Sequence, residues 1–536
     1  MGFCEHSVRC SNFKALNISH DLWLKYGIAW AVGPCFIGDK MDKQNETKGP
    51  GLIEFIKAHQ DKERVSFHMP GHKGKAFFTK NGYADFTDLM IDGDLTEIEG
   101  ADNLFKAEGI LLETMNRYKT MYGAKQAFML VGGSSAGIMA SVMSLISRGD
   151  TLIMASNCHK SVYNALMLSE GKAVFVAPEM LDEYGIASEI SADSIAEALE
   201  KQAEAKAVII TSPNYYGVCS DIDKIAETVH AQGKILIVDE AHGAHLAFMD
   251  EYVDSSFDGE KFQEGTARSL AAENRGADIV VISTHKTLAS FTQTAILLVC
   301  TDRVDVDTIA NNLQILQSSS PSYILMASLD MNARIIEKHG RKLFDKWQAD
   351  LDYVYEELRK INGLELLEMP LMDRTKLVFS FHDLGISGYE LDGLLREKGI
   401  FCELSDSRFV MAMTGIGSER SDYEILISEL RKIADEKTCE GLDMCVKPEK
   451  DNKALMEELY RHEKIFDVPT ESEWFKPSEC EGRISVRAVI PYPPGIPIIV
   501  PGERIDARKL NVIERLLKDG VSMIGLNEDD KILCGR

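Results

Sequence analysis

Ile279-Val280-Val281-Ile282-Ser283-Thr284-His285-Lys286-Thr287-Leu288 is an apolar run that ends at a lysine set among small polar residues and a histidine. Four consecutive β-branched residues read as a buried strand. A lysine at the end of such a strand is held on a rigid element, and burial beside other donors lowers its affinity for a proton. Those are the properties of an amine that forms a Schiff base with an aldehyde. The same pattern also describes a lysine in a surface loop, so the rest of the chain has to decide.

Working outward, seven apolar runs stand at 126–131, 151–156, 172–178, 206–211, 235–240, 279–283 and 295–300. Helical segments such as Ser194–Leu199 and Ile222–Ala226 fall between several of them. Apolar strands separated by helices imply a mostly parallel sheet covered on both faces, the α/β class. In open sheets of this kind ligands bind at the carboxyl ends of the strands. A long helical pattern over 326–361 leads to a smaller α+β part, with strands near 376–381 and 408–413 and a helix near 421–435. The charged stretch 437–453 reads as a loop, and no internal repeat is visible.

Three further strand ends carry chemistry. Ile235-Leu236-Ile237-Val238 runs into Asp239-Glu240-Ala241-His242-Gly243. A carboxylate there can cap the next helix, sit near a metal, or hold a pyridine nitrogen protonated, as an electron-sink cofactor requires. Ala241, two residues on, points to the same side, and its small side chain leaves room for a flat ring. Ala127–Val131 breaks at Gly132-Gly133-Ser134-Ser135-Ala136-Gly137 before a helical pattern. Strand, Gly/Ser turn and helix N-terminus make an anion site or a plain helix cap. The turn lacks the Gly-Lys-Ser/Thr ending of a P-loop and the three-glycine spacing of a dinucleotide fingerprint. His159, in Ser156-Asn157-Cys158-His159-Lys160-Ser161, is either a capping or core histidine or one that lies flat on a cofactor ring.

In this order the motifs resemble those of the Orn/Lys/Arg decarboxylase family, bacterial basic amino acid decarboxylases of pyridoxal-phosphate fold type I. The resemblance spans roughly residues 48 to 505. It also includes His68-Met69-Pro70-Gly71-His72-Lys73-Gly74, Asp94-Leu95-Thr96-Glu97 with Asp102-Asn103-Leu104, and Thr292-Gln293. Further on it takes in Gln317-Ser318-Ser319-Ser320-Pro321-Ser322-Tyr323 and Pro491-Tyr492-Pro493-Pro494-Gly495-Ile496-Pro497. It implies a seven-stranded, mostly parallel sheet covered by helices plus a smaller α+β C-terminal domain. It implies pyridoxal 5'-phosphate as cofactor and release of CO2 from arginine, lysine or ornithine. Lys286 would bind the cofactor covalently, Asp239 would take its pyridine nitrogen, and Ala241 would lie against its ring. His159 would stack on the ring. Ser134, Ser135 and Ser283 would hold the phosphate, His242 would belong to the same pocket, and His285 would assist beside Lys286. Either His285 or Lys286 could return the proton to Cα. Ser318 and Ser319 would reach the cofactor of a neighbouring subunit in a homodimer. Larger members carry a response-regulator-like wing domain before the Pro-Gly-His-Lys motif. Only 69 residues precede Pro70 here, so the short form is expected.

A chain of 536 residues with 45% hydrophobic residues can build two or three cores. The expected division is an unstructured extension over 1–45, an N-terminal segment over 46–105, a cofactor-binding domain over 106–335 and a C-terminal α+β domain over 336–536. Lys and Arg number 59 against 84 Asp and Glu, a net charge of −25, which argues against nonspecific nucleic-acid binding. The 11 cysteines show no CxxC pair or zinc spacing, so free thiols in a reducing cytoplasm are expected and no metal is. Tyr26–Gly38 is apolar but short of the roughly 20 residues needed to span a membrane. Met41 reads as the natural start. Distal acids for a basic substrate are sought at Glu403, Asp406 and Glu503. An aminotransferase, or a lyase or aldolase, on the same scaffold would share Lys286 and Asp239. A non-enzymatic regulator is the remaining alternative.

Overall fold

The computed structural model describes residues 52–86, 88–249, 269–439, 460, 462, 468–491, 495–518 and 520–536. All seven apolar runs form strands, each one or two residues shorter than expected. They are β1 Gln126–Leu130, β2 Thr151–Ala155, β3 Lys172–Val176, β4 Ala207–Thr211, β5 Ile235–Asp239, β6 Ile279–Ile282 and β7 Ala295–Val299. They join one sheet in the order β1-β7-β6-β5-β4-β2-β3. Neighbours are parallel except at β7, which runs antiparallel to β1 and β6. Helices α1 Gly133–Leu145, α2 Lys160–Ser169, α3 Ala192–Lys201 and α4 Ile222–Ala231 connect the strands.

Burial explains why these runs could be read from the sequence. Every residue of β2, β6 and β7 is buried, so both strand faces are apolar and the alternation of a one-sided sheet is absent. β3 is one edge of the sheet and stays partly exposed. The parallel strands place their carboxyl ends along one side. Leu130, Ala155, Thr211, Asp239 and Ile282 therefore end together, and the loops that follow them line one cavity.

The long helix, α5, spans Tyr323–Leu358 rather than 326–361. It starts where Ser322 accepts a hydrogen bond from the Leu325 amide at 3.4 Å. Because α5 is continuous, the expected division at 335/336 falls inside a helix common to both parts. Beyond it, β8 Lys376–Ser380 and β9 Val410–Met413 pair antiparallel. β9 begins two residues later than expected because the Arg408 and Phe409 amides both donate to Asp406. The helix Arg420–Cys439 extends into the stretch expected as a loop from 437, whose remainder lies outside the described residues, as do residues 1–45. The strand Val65–Phe67 pairs in parallel with Ile400–Cys402, which fastens the N-terminal segment to the C-terminal part. Cys480, Val489, Ile499, Ile513 and Cys534 belong to a separate apolar cluster.

Candidate active site

Lys286 lies in the short helix Thr284–Thr287 at the end of β6. Its Nζ is 2.8 Å from His242 Nε2. Burial lowers the Lys286 pKa to about 8, although Asp239 and Glu403 favour the charged form. An amine so placed is partly uncharged near neutral pH, as a nucleophile requires.

Asp239 ends β5, is buried, and accepts from the Ala241 amide at 3.1 Å. Burial raises its pKa, against the pull of Lys286. A cation brought against the carboxylate would hold it ionised. Ala241 lines the cavity beside it with a side chain too small to occupy the space. His159 caps α2 by accepting from the Ser161 amide, and it faces the same cavity. Burial lowers its pKa to about 4, so the ring is neutral. His285 is likewise held near 4 by burial, and its Nδ1 donates to the Thr294 carbonyl at 2.8 Å.

Ser134 and Ser135 occupy the first turn of α1, behind Gly132 at the N-cap. Ser283 lines the same cavity, with a buried hydroxyl that has no partner among the described residues. Asn157 Oδ1 is similarly buried and unpartnered. A helix N-terminus, two serine hydroxyls and an orphaned third suit an anion such as a phosphate. With Lys286, Asp239 and Ala241 alongside, the residues present fit a phosphorylated pyridine aldehyde.

These groups line one cavity of about 800 Å³. The nine residues expected as catalytic or cofactor-binding border it: Ser134, Ser135, His159, Asp239, Ala241, His242, Ser283, His285 and Lys286. Glu403 and Asp406 border it too. Glu503 does not. It is fully buried in the separate C-terminal cluster, paired with Lys509 and His462, which ends its candidacy as a substrate group. Ser318 and Ser319 are exposed and lie away from the cavity.

Sequence reading overlooked Tyr215 and Tyr216, in the polar turn Thr211-Ser212-Pro213-Asn214-Tyr215-Tyr216 after β4. The Tyr215 ring centroid lies 4.8 Å from that of His242. The signal was available, since a Pro/Asn turn directly after an apolar strand stands at the same edge as Asp239 and Lys286.

Backbone contact fixes the rim. The Gly71 amide donates to the His285 carbonyl at 2.9 Å, and a Cβ at Gly71 would lie 2.5 Å from the Thr287 carbonyl carbon. Gly71→Ala is therefore expected to destabilise the protein by about 1–3 kcal/mol, the usual range for overpacking, and to lower thermal stability and turnover together. A melting curve and an activity assay on the one variant check this, and an unchanged melting temperature would contradict it.

Solved structures share this architecture. Lysine decarboxylase LdcF of Francisella novicida superposes with a TM-score of 0.69 at 19% identity, covering 87% of this chain and 78% of that one. Ureidoglycine–glyoxylate aminotransferase of Bacillus subtilis matches with a TM-score of 0.52 at 15% identity, over 69% of this chain and 93% of that one. The fold is that of pyridoxal-phosphate enzymes of fold type I. The arginine decarboxylase of Bacillus subtilis (strain 168) is 30% identical over 495 residues, 90% of this chain and 96% of its own length. That of Bacillus cereus is 31% identical over 476 residues, 86% of this chain and 98% of its own. Residues 50–369 match the Orn/Lys/Arg decarboxylase major domain, and 454–519 match the C-terminal domain of that family. The chain belongs to the Orn/Lys/Arg decarboxylase family and is an amino acid decarboxylase.

Proposed function

We propose that the protein decarboxylates arginine or lysine to the corresponding amine, using pyridoxal 5'-phosphate bound at Lys286. The observation that carries this reading is the Lys286 amine, held 2.8 Å from His242 in a cavity that also contains the Asp239 carboxylate and the orphaned Ser283 hydroxyl. When bound, the cofactor supplies an electron sink for the pair left as CO2 departs. Asp239 would keep the pyridine nitrogen positive, Ser134, Ser135 and Ser283 would hold the phosphate, and Ala241 and His159 would meet the ring. His285 is neutral and its Nδ1 proton is committed to the Thr294 carbonyl, which favours Lys286 over His285 as the group that would return a proton to Cα.

Of the two cavity acids, Glu403 is the better partner for a distal cation. Its Oε2 accepts from the Met69 amide at 3.0 Å, while Tyr215 approaches Oε1 at 3.5 Å, which leaves Oε1 capacity for a ligand. Asp406 already receives the Tyr216 hydroxyl at 2.6 Å and two backbone amides at 2.7 Å each. Glu403→Gln is expected to raise KM for the basic substrate by about 10- to 100-fold, the range of a hydrogen bond to a charged group, with kcat changed less. Steady-state kinetics read this, and an unchanged KM would move the cation site elsewhere. Arginine, lysine and ornithine offered together at equal concentration test the substrate ranking. Arginine or lysine should be consumed ahead of ornithine, and preference for ornithine would overturn it.

The active form is proposed to be a cytoplasmic homodimer, with Ser318 and Ser319 facing the partner subunit. The exposure of both serines supports a contact beyond the single chain. Among the described residues no helix is long and apolar enough to cross a membrane.

A further inference from the structure

A second lysine is buried behind the catalytic one. Lys376, the first residue of β8, is 0% exposed, as is Asp373. The Lys376 ammonium donates to the Asp373 carboxylate and, at 2.6 Å, to the backbone carbonyl of His242. Asp373 Oδ1 also receives His245 Nε2 at 3.0 Å, the Thr375 amide at 2.9 Å and the Thr375 hydroxyl at 2.7 Å. None of these side chains borders the cavity. Burying an ion pair rarely stabilises a fold more than apolar residues of the same volume would. Packing is therefore a poor account of why a lysine and an aspartate stand here.

What the cluster touches supplies a better account. The His242 carbonyl is gripped by Lys376, while His242 Nε2 faces Lys286 Nζ at 2.8 Å. The other ring nitrogen of His242, Nδ1, is buried without a partner among the described residues. The ring therefore has no second hydrogen bond to orient it, and its place depends on the backbone that carries it and on the Tyr215 ring.

We propose that Lys376, backed by Asp373 and His245, is a positioning residue for the catalytic lysine: it fixes the His242 carbonyl, so holding the His242 ring on the Lys286 amine, and places a cation behind that ring. The charged groups facing Lys286 act in both directions. Asp239 and Glu403 favour its protonated form, and the Lys376 cation and burial oppose them. His242 is itself kept uncharged by burial, Lys286 and Lys376, against Asp373, while His159 and His285 are neutral. Removing the Lys376 charge thus strengthens the hold of Lys286 on its proton, and removing its donor loosens the ring.

The inference rests on Lys286 being the amine that takes up the cofactor. Its test is Lys376→Met in the full chain, which keeps an unbranched side chain one atom shorter and removes both charge and donor. Two quantities are read: the pH dependence of pyridoxal phosphate capture, followed by the visible absorbance of the bound form, and kcat against KM. Capture by the variant should shift to higher pH, and kcat should fall by about 10- to 100-fold with KM nearly unchanged, the scale of a small misplacement at a reacting group. His245→Gln removes an uncharged partner of Asp373 and should leave the pH midpoint of capture in place. If Lys376→Met does not fold, the double variant Asp373→Asn/Lys376→Met leaves no unpaired buried charge and is read on kcat against KM. Wild-type kcat in the folded variant overturns the proposal. So does an equal loss in Lys376→Met and His245→Gln with no shift in pH midpoint. Absence of the visible band in the wild-type protein would overturn the Lys286 assignment instead.

Discussion

Lys286→Ala is expected to abolish decarboxylation, lowering turnover by on the order of 10⁶-fold, the scale on which enzymes lose activity when a covalent nucleophile is removed. The variant should still fold. Its side chain contributes little to the core, since Thr284 and Thr287 carry the buried face of the short helix. It should also still bind the cofactor weakly, because Ser134, Ser135 and Ser283 are untouched. What disappears is the covalent link and the visible absorbance that accompanies it. Turnover within tenfold of wild type would show that another amine carries the chemistry.

Asp239→Ala is the second large effect. The carboxylate is buried at the end of β5, near Lys286 and two residues before Ala241. In the proposed role its loss would leave the pyridine nitrogen without an anion to keep it protonated, and an uncharged ring is a poor electron sink. Turnover should drop by about 10²–10³-fold, the loss typical when a fixed electrostatic group at a developing charge is removed. Cofactor should remain bound through its phosphate and through Lys286. The combination of retained visible absorbance and lost turnover separates this role from a structural one. Near-normal turnover would mean that the partner of the pyridine nitrogen is another residue.

The sheet was legible in the sequence because its central strands are buried on both faces. Ile279–Ile282 and Ile235–Val238 had to be unbroken apolar runs, and no surface residue interrupts them. The cavity residues were legible for the same reason. Asp239, Ser283 and Lys286 stand where an apolar run stops, and the parallel arrangement brings those stops together. His242 entered through the family resemblance alone, and its contact with the Lys286 amine depends on how the loop after β5 turns back. Glu403, Asp406 and Glu503 could not be separated in the sequence, because the partners that distinguish them are remote. Asp406 is engaged by Tyr216, 190 residues away, and Glu503 is paired with Lys509 and contacted by His462. Asp373 and Lys376 belong to no motif, and Lys376 stands only as the first residue of the strand expected near 376–381. Lysines are almost never fully buried, so composition gave no hint that this one is.

The most direct test is CO2 release by the purified full-length protein supplied with pyridoxal phosphate and offered arginine, lysine or ornithine. The account predicts that CO2 is released from arginine or lysine in equal amount to the amine formed, that it depends on added cofactor, and that it is lost in Lys286→Ala. Release from none of the three, or release from glutamate or aspartate instead, would contradict it.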